Sequence, residues 1–366
     1  MANFYKSLDA SNDVVSTRTL LHEAIPLTGT IVSGTYADQN IKNYAHGMFQ
    51  SVYDYPYLSS SANHIFDITV GVSPSSHLYA LTVNQKSKKA NIYNQMAQVC
   101  MGYDNTGSIQ LFDADGDLVA GGNKIREAYF LNFSRLLSKD EIKKGTFQLE
   151  LGVDDEFNHD QTQFAKGLTI TDASGSDGYF VNSPVGEYGV LYATQSSDVT
   201  TFTSANDFPV GLIFYQAGIA VVSGSVFTDQ ANGGILINGL GTTVLSAEIG
   251  AGGEINHMLT GSSITGSANA LRNRIKNIQF NNTVELNSSV YFCRVNHNQF
   301  NYSANPTYLS NSKIRVKTDS TDDPVAYITT VGLYNDNNEL MATAKLSEPL
   351  KKSPDTEFTI RVRLDY

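Results

Sequence analysis

The chain has 366 residues, of which 29 are glycine, 20 tyrosine and 18 phenylalanine, and this composition favours strands and turns. Its formal net charge of -11 argues against a nucleic-acid partner, because phosphate binding depends on clustered lysine and arginine. Cys100 and Cys293 have no Cys or His nearby at metal-ligand spacing, so we expect reduced thiols rather than a disulfide framework or a zinc site. No apolar run approaches about 18 residues, so neither secretion nor a membrane span is expected.

The amino-terminal part of the chain is predicted to contain an extended arm, a strand and a helix. The arm covers residues 1–30, which show no clear hydrophobic period over most of their length. Residues 65–72 are β-branched and aromatic, and they predict a strand that ends at Ser73 and Pro74. From residue 90 to residue 103, apolar side chains recur at steps of three and four, which predicts a helix. The predicted buried face of this helix consists of Ile92, Met96, Val99, Cys100 and Tyr103.

A hairpin is predicted at residues 108–120, where two apolar segments flank an Asp-Ala-Asp-Gly turn. Asp113, Asp115 and Asp117 have the spacing that opens a calcium-binding loop. However, the twelfth position of that loop should be Glu and is Lys124, and the required Gly is misplaced. We therefore expect a solvated turn at this place and no metal.

Residues 129–151 are predicted to form a strand, one helical turn and a second strand. Ser138 and Glu141 make a capping-box pattern at the start of the turn, and Gly145 is placed to end it. One face of the second strand should be buried, because apolar and polar residues alternate there. The side chains expected on that face are Phe147, Leu149 and Leu151.

The densest acidic cluster of the sequence lies between residues 152 and 160, and it consists of Asp154, Asp155, Glu156, His159 and Asp160. A hydrolase could use paired carboxylates and a histidine for acid–base chemistry. However, the segment has the character of a loop, and no second group of residues supplies a nucleophile or an acid partner. A glycoside hydrolase built on Asp154, Asp155 and Glu156 is therefore the least favoured function. We predict no enzyme and no catalytic, cofactor-binding or metal-binding residues.

The second half of the chain is predicted to be strand-rich. Residues 210–222 form a nearly continuous apolar stretch interrupted by Gln216-Ala-Gly, which predicts a buried hairpin. Glycines between residues 232 and 253 have turn character and do not match the spacing of a phosphate-binding loop. Six further strands are predicted at 278–286, 290–296, 313–316, 327–334, 339–346 and 357–364.

These elements predict a mainly β fold with a few short helices, built from antiparallel β-sandwich or barrel modules. Because the chain is too long for one ordinary core, we expect it to divide into several segments. They are an amino-terminal arm at 1–30, a strand-rich domain with one helix at 31–155, a Gly/Ser-rich β domain at 156–265, and a carboxy-terminal antiparallel β-sandwich at 266–366.

One hairpin pattern occurs twice, since residues 111–120 align without a gap against residues 333–342. The second copy, extended to residues 327–352, resembles the tail-fibre attachment and baseplate modules of contractile phages. In those modules a Val-Gly-Leu-aromatic strand meets a turn with Asp and Gly, where this chain has Asn335 and Asn338. Residues 132–145 and 209–221 are similar to virion structural proteins of T4-like marine cyanophages.

The resemblance implies a tail or baseplate component that is made in the host cytoplasm and incorporated into the virion in several copies. Its expected partners are other virion subunits, namely baseplate, tail or fibre proteins, with no nucleic acid and no membrane. Residues before Thr30 and the carboxy-terminal segment 361–366 are expected to contact neighbouring subunits. The alternatives are a carbohydrate-binding adhesin, in which exposed Tyr and Asp/Asn loops hold host glycans, and a neck or capsid-decoration protein.

Overall fold

The computed structural model describes residues 5–23, 40–76, 79, 84–118, 124–137, 140–153, 167–194, 208–227, 235, 259, 263–301, 309–310, 313–314 and 325–365. The chain forms two compact units, of which the larger is His22–Val284 and the smaller combines Met1–Leu21 with Glu285–Tyr366. The prediction of a mainly β fold with large antiparallel sheets and few helices is confirmed. The division into four segments stays a prediction.

The strands and the two α-helices lie in the following positions along the described chain. The helices are α1 (Lys86–Cys100) and α2 (Ile264–Arg272). The strands are β1 (Val14–Glu23), β2 (Ile41–Asn43), β3 (Gln50–Tyr53), β4 (His64–Val72), β5 (Phe112–Asp113), β6 (Lys124–Ile125), β7 (Glu127–Asn132), β8 (Glu141–Ile142), β9 (Gln148–Gly152), β10 (Gly167–Thr171), β11 (Phe180–Ser183), β12 (Gly186–Thr194), β13 (Phe208–Phe214), β14 (Ile219–Ser223), β15 (Ile275–Gln279), β16 (Asn282–Val295), β17 (Leu309–Ser310), β18 (Lys313–Ile314), β19 (Ala326–Tyr334), β20 (Leu340–Lys352) and β21 (Phe358–Asp365).

The larger unit is built around one large antiparallel sheet. Among the described residues, its strand order is β15-β9-β10-β12-β13-β14-β7-β4-β3-β2, and β11 pairs with β12. The predicted buried hairpin at 210–222 is confirmed as β13 and β14, in which Gly211 pairs with Val222. These strands are apolar along nearly their whole length because they lie in the middle of the sheet, where both faces are buried. The alternation predicted for Phe147, Leu149 and Leu151 is also confirmed.

The predicted helix around residues 90–103 is confirmed as α1, which begins and ends a few residues earlier. Its predicted buried face was partly wrong, because Val99 and Tyr103 are 54% and 59% exposed. The buried positions are Lys89, Ala90, Ile92, Tyr93, Ala97 and Cys100. The helix packs on β4 at Gly71, where an added Cβ would lie 2.9 Å from the Cα atom of Tyr93. A glycine at this point in the strand therefore lets the helix approach the sheet closely.

The predicted helical turn after Ser138 was wrong, although Ser138 itself lies outside the described residues. Glu141 begins β8 and pairs with Thr283 of β16, so the segment is extended there. A short 3-10 turn occurs earlier instead, at Ser134–Leu136. Gly145 does occupy a turn and has φ 77, and the Asp172 carboxylate accepts its backbone N–H at 2.8 Å. Local capping rules missed the strand because its partner comes from a distant part of the sequence.

The smaller unit contains a sheet with the order β1-β16-β21 and a separate ribbon made of β19 and β20. The strand predicted at 278–286 covers the end of β15 and the start of β16, and β16 continues through most of the strand predicted at 290–296, since it covers residues 282–295. Residues Ser288 to Val295 of β16 pair antiparallel with Asp365 to Phe358 of β21. Within the described part of the unit, β21 is an edge strand, and its exposed residues alternate with more buried ones.

Candidate functional site

The ribbon formed by β19 and β20 is the most prominent candidate for a contact surface. Its two strands pair antiparallel from Ala326 and Lys352 at the base to Tyr334 and Leu340 at the tip. Neither strand pairs with a third strand among the described residues. A two-stranded ribbon is at best marginally stable alone in water, so it depends on contacts with other parts of a protein.

The turn at the tip of the ribbon is built from asparagine side chains. Asn335 Oδ1 accepts the backbone N–H groups of Asn337 at 3.0 Å and Glu339 at 2.8 Å. Asn338 has φ 63, a left-handed conformation that Asn adopts more readily than most residues other than Gly. Asn335 and Asn338 therefore perform the tasks that Asp and Gly would perform in such a turn.

Apolar side chains are exposed at the tip of the ribbon. Tyr334, Leu340 and Met341, which we call the ribbon tip, are 45%, 52% and 68% exposed. The ring of Tyr5 packs on Tyr334 with 4.8 Å between the ring centroids. Aromatic residues and methionine are enriched in protein–protein interfaces, so the ribbon tip has the composition of a contact site.

The base of the ribbon is held by a buried lysine. Lys352 is fully buried, and its ammonium group donates to the carbonyl oxygens of His297 at 2.9 Å and Ser353 at 2.7 Å. It also donates to Asn301 Oδ1 at 2.7 Å. The neighbouring Lys351 is exposed. One end of the ribbon is therefore fixed within its unit, whereas the other end carries exposed apolar groups.

Part of the predicted amino-terminal arm is ordered against the smaller unit. Lys6 donates a hydrogen bond to the carbonyl oxygen of Arg294 at 2.5 Å. The side chain of Arg294 forms an ion pair with Asp13 at 3.1 Å, and Phe292 donates its backbone N–H to the Asp13 carbonyl at 2.8 Å. These described residues of the arm are thus part of the fold of their own chain. Its predicted contacts with neighbouring subunits stay a prediction.

A second exposed surface lies on the loop between β3 and β4. Asp54 closes the base of this loop by accepting the backbone N–H of Asn63 at 2.6 Å. The loop exposes Tyr55, Tyr57 and Leu58, the last of which is 85% exposed. Sequence reasoning missed this surface, although the closely spaced tyrosines of the segment were a signal for it.

A histidine, an aspartate and a serine meet beside this loop. His64 Nε2 lies 2.6 Å from Asp67 Oδ1, and the Ser51 hydroxyl donates to the same oxygen at 2.5 Å. Residues three apart on a strand normally face opposite sides, but a bulge shifts the pairing between Val52 and Tyr53. Burial alone would raise the pKa of Asp67, but the hydrogen bonds from His64 and Ser51 outweigh it and lower that pKa.

This arrangement is not that of an activated nucleophile. A serine nucleophile needs its hydroxyl bonded to the histidine that removes its proton. Here the Ser51 hydroxyl donates to Asp67, and Tyr44 Oη lies on the other side of Ser51 at 3.2 Å. The three side chains therefore form a polar network that joins β3 to β4.

A buried ion-pair network lies elsewhere in the larger unit. The Lys144 ammonium group is 3.0 Å from Glu141 Oε1 and 2.8 Å from Glu187 Oε2. The same ammonium group lies 5.3 Å from the ring centroid of Tyr179 and 5.2 Å from that of Tyr215. Buried charges need partners of this kind, and removing one partner usually destabilises a fold. We interpret this network as structural.

The structure describes only one of the two acidic clusters that the sequence analysis considered as sites. Asp154, Asp155, Glu156, His159 and Asp160 lie outside the described residues, so their geometry is not part of the fold given above. Asp113, Asp115 and Asp117 do come together, and one oxygen of each lies within 4.8 Å of the others.

The hairpin that carries these three aspartates differs from its prediction. Phe112 pairs with Ile125 and Asp113 with Lys124, so the loop is longer than the predicted turn within residues 108–120. The sequence pattern shared by residues 111–120 and 333–342 therefore does not produce the same strand pairing, because Leu333 pairs directly with Ala342.

Both cysteines are free thiols, as expected. Cys100 is fully buried, and burial raises the pKa of its thiol to about 12. Cys293 is half-buried, and burial also raises its pKa. A thiol reacts as the thiolate, so neither residue has the environment of a nucleophile.

No helix in the described part of the chain is both long and apolar enough to cross a membrane.

Comparisons with known proteins identify no relative of the chain. No protein-family description matches the sequence, and neither the curated proteins nor the solved structures contain a significant match.

Proposed function

We propose that the chain is a non-enzymatic structural subunit of a tailed-phage virion, most specifically a tail or baseplate component that assembles through protein–protein contacts. The ribbon carries this proposal, because residues 327–352, which resemble phage fibre-attachment and baseplate modules, form a single long ribbon. The apolar ribbon tip supports a protein partner rather than a charged one. Within the described residues β19 and β20 pair only with each other, so their outer edges also offer backbone groups for an added strand.

The proposed partners are other virion subunits, and the proposed location is the tail of the particle. Immunogold labelling of the chain on intact particles tests this location directly. Labelling at the baseplate or along the tail is the expected result. Labelling at the neck or on the capsid would favour the neck or capsid-decoration alternative, and an absence of the chain from purified particles would contradict the proposal.

A pair of matched variants tests whether the ribbon tip makes the contact. Met341→Asp places a charge at the exposed tip, whereas Ser347→Asp places the same charge at an exposed position nearer the base. Both side chains are exposed, so both variants should fold. We expect incorporation into particles to fall at least tenfold for Met341→Asp and to stay unchanged for Ser347→Asp. Equal incorporation of the two variants would show that the tip is not a contact.

A carbohydrate-binding adhesin is the second candidate, and the exposed tyrosines of the β3–β4 loop favour it. Tyr55 and Tyr57 expose their aromatic rings on this loop, and the ring of Tyr57 packs on Tyr53 with 6.3 Å between centroids. Ligand sites are commonly lined by aromatic side chains of this kind. Binding of the isolated chain to a glycan array, with loss of binding in Tyr55→Ala, would support this function. Incorporation into tails without any glycan binding would support the structural function alone.

A further inference from the structure

The three aspartates of the hairpin loop are held in a way that a solvated turn does not require. Asp113 is fully buried, and its Oδ2 atom forms an ion pair with the ammonium group of Lys124. Its Oδ1 atom is also buried and accepts no hydrogen bond from the described residues. A buried carboxylate oxygen without a partner is costly, so a group that supplies positive charge would stabilise it.

The other two carboxylates converge on the same place. One oxygen each of Asp113, Asp115 and Asp117 lies within 4.8 Å of the other two. Calcium ligands lie about 2.3–2.6 Å from the ion, so two oxygens on opposite sides of one Ca²⁺ are roughly 5 Å apart. The three oxygens can therefore reach a single ion without a change of fold.

The negative charge of the three carboxylates also favours a bound cation. The three carboxylates lie within 4.8 Å of one another, and like charges at such distances repel each other. A divalent cation between the three carboxylates would remove this repulsion.

We propose that Asp113, Asp115 and Asp117, the aspartate triplet, bind one Ca²⁺ ion, with water completing its coordination. This inference replaces the metal-free turn predicted from the sequence, which could not show that Asp113 is buried. Lys124 stands where a calcium loop has its closing Glu, so the site supplies less negative charge than such a loop. The affinity should accordingly lie in the weak range, with a dissociation constant on the order of 10⁻⁴–10⁻³ M.

Calcium titration of the whole chain tests the proposal. With a dissociation constant of about 1 mM, 10 mM CaCl₂ should raise the melting temperature by about 3 °C. Asp115→Asn and Asp117→Asn should abolish this rise, and both side chains are at least partly exposed, so the variants should fold. Asp355→Asn removes the same charge from an exposed turn of the smaller unit and should keep the full rise.

A lanthanide probe gives a second readout. Gly116 lies in the loop of the aspartate triplet, and the ring of Phe180 from β11 covers it. The same ring stacks on Tyr188 with 5.2 Å between the ring centroids. Tyr188 can therefore transfer excitation energy to Tb³⁺ bound at the triplet. We expect Tb³⁺ luminescence that decreases when CaCl₂ displaces the probe and that falls at least fivefold in Asp115→Asn but not in Asp355→Asn.

Lys124→Gln distinguishes an ion site from an ordinary acidic turn. Loss of the ammonium group should lower the melting temperature without calcium, because Asp113 loses its partner. The rise on adding CaCl₂ should then be larger than in the wild-type chain, since the cation no longer meets a competing charge. The proposal is overturned if CaCl₂ changes neither protein, if Asp115→Asn keeps the wild-type response, or if MgCl₂ acts as strongly as CaCl₂.

Discussion

Replacing Gly71 by alanine should destabilise the larger unit, because the new methyl group has no room. The added Cβ would lie 2.9 Å from the N, Cα and Cβ atoms of Tyr93, whereas ordinary contacts begin at 3.4 Å. Two of those atoms are backbone, so no change of rotamer relieves the clash, and α1 must move away from β4. Overpacking of this kind costs about 1–3 kcal/mol, and the reduced entropy of the unfolded chain offsets about 0.4–1 kcal/mol of it. We therefore expect Gly71→Ala to lose about 1–2 kcal/mol.

Gly167→Ala is the matched control for this change. Gly167 also lies in a strand, but its nearest neighbours would be the flexible Lys276 Nζ at 3.4 Å and the Leu151 carbonyl oxygen at 3.8 Å. This variant should be as stable as the wild-type chain or gain up to about 1 kcal/mol. Urea unfolding followed by circular dichroism measures both. If Gly71→Ala loses no more stability than Gly167→Ala, close packing of α1 on Gly71 is not what fixes the helix.

Three further predictions concern a buried lysine, a carboxylate and a thiol. Lys352→Ala removes three hydrogen bonds of a buried ammonium group and should destabilise the smaller unit by about 2 kcal/mol. The exposed Lys351→Ala should change the stability of that unit by less than about 0.5 kcal/mol, and similar melting curves for the two variants would contradict this. The lowered pKa of Asp67 stabilises the fold above about pH 4 and ceases to do so as pH falls through the folded-state pKa. Asp67→Asn should therefore lower the melting temperature at pH 7 and make little difference at pH 2, and an equal loss at both would refute the pH dependence. A thiol reagent at pH 8 should modify Cys293 faster than Cys100, whose pKa is about 12, until denaturant is added; equal rates in the native protein would count against the burial of Cys100.

The buried faces of the strands could be predicted from the sequence more fully than the buried face of α1. Alternation at Leu149 and Leu151 identifies a buried face because the period of a strand leaves no choice of face. The face of α1 was ambiguous, because Val99 continues an apolar stripe that the fold leaves exposed. The true face includes Lys89 and Ala97, whose burial depends on what packs against them. Lys89 satisfies its ammonium group with the carbonyl oxygen of Leu259, which no local pattern reveals.

The polar clusters could not be predicted, because each depends on a register or on a long-range pairing. His64 and Asp67 share a face only through the bulge in the β3–β4 pairing. The sequence did show the three aspartates and Lys124, but it could not show that Asp113 and Lys124 pair directly across β5 and β6. Turn chemistry at Asn335 and Asn338 was predictable, since it depends on neighbours within five residues.

The strand order β1-β16-β21 has a consequence for folding during synthesis. Ser16 and Ser289 meet through their hydroxyl groups at 3.2 Å although they are 273 residues apart in the sequence. At ribosomal rates, β1 therefore waits roughly 15–50 s for its partner to be made. Strands β2 to β14 of the larger unit are translated during that interval, whereas its α2 and β15 follow only at the end of it. We therefore expect the smaller unit to complete its folding after the larger one, because β21, which pairs with β16, is translated after every strand of the larger unit.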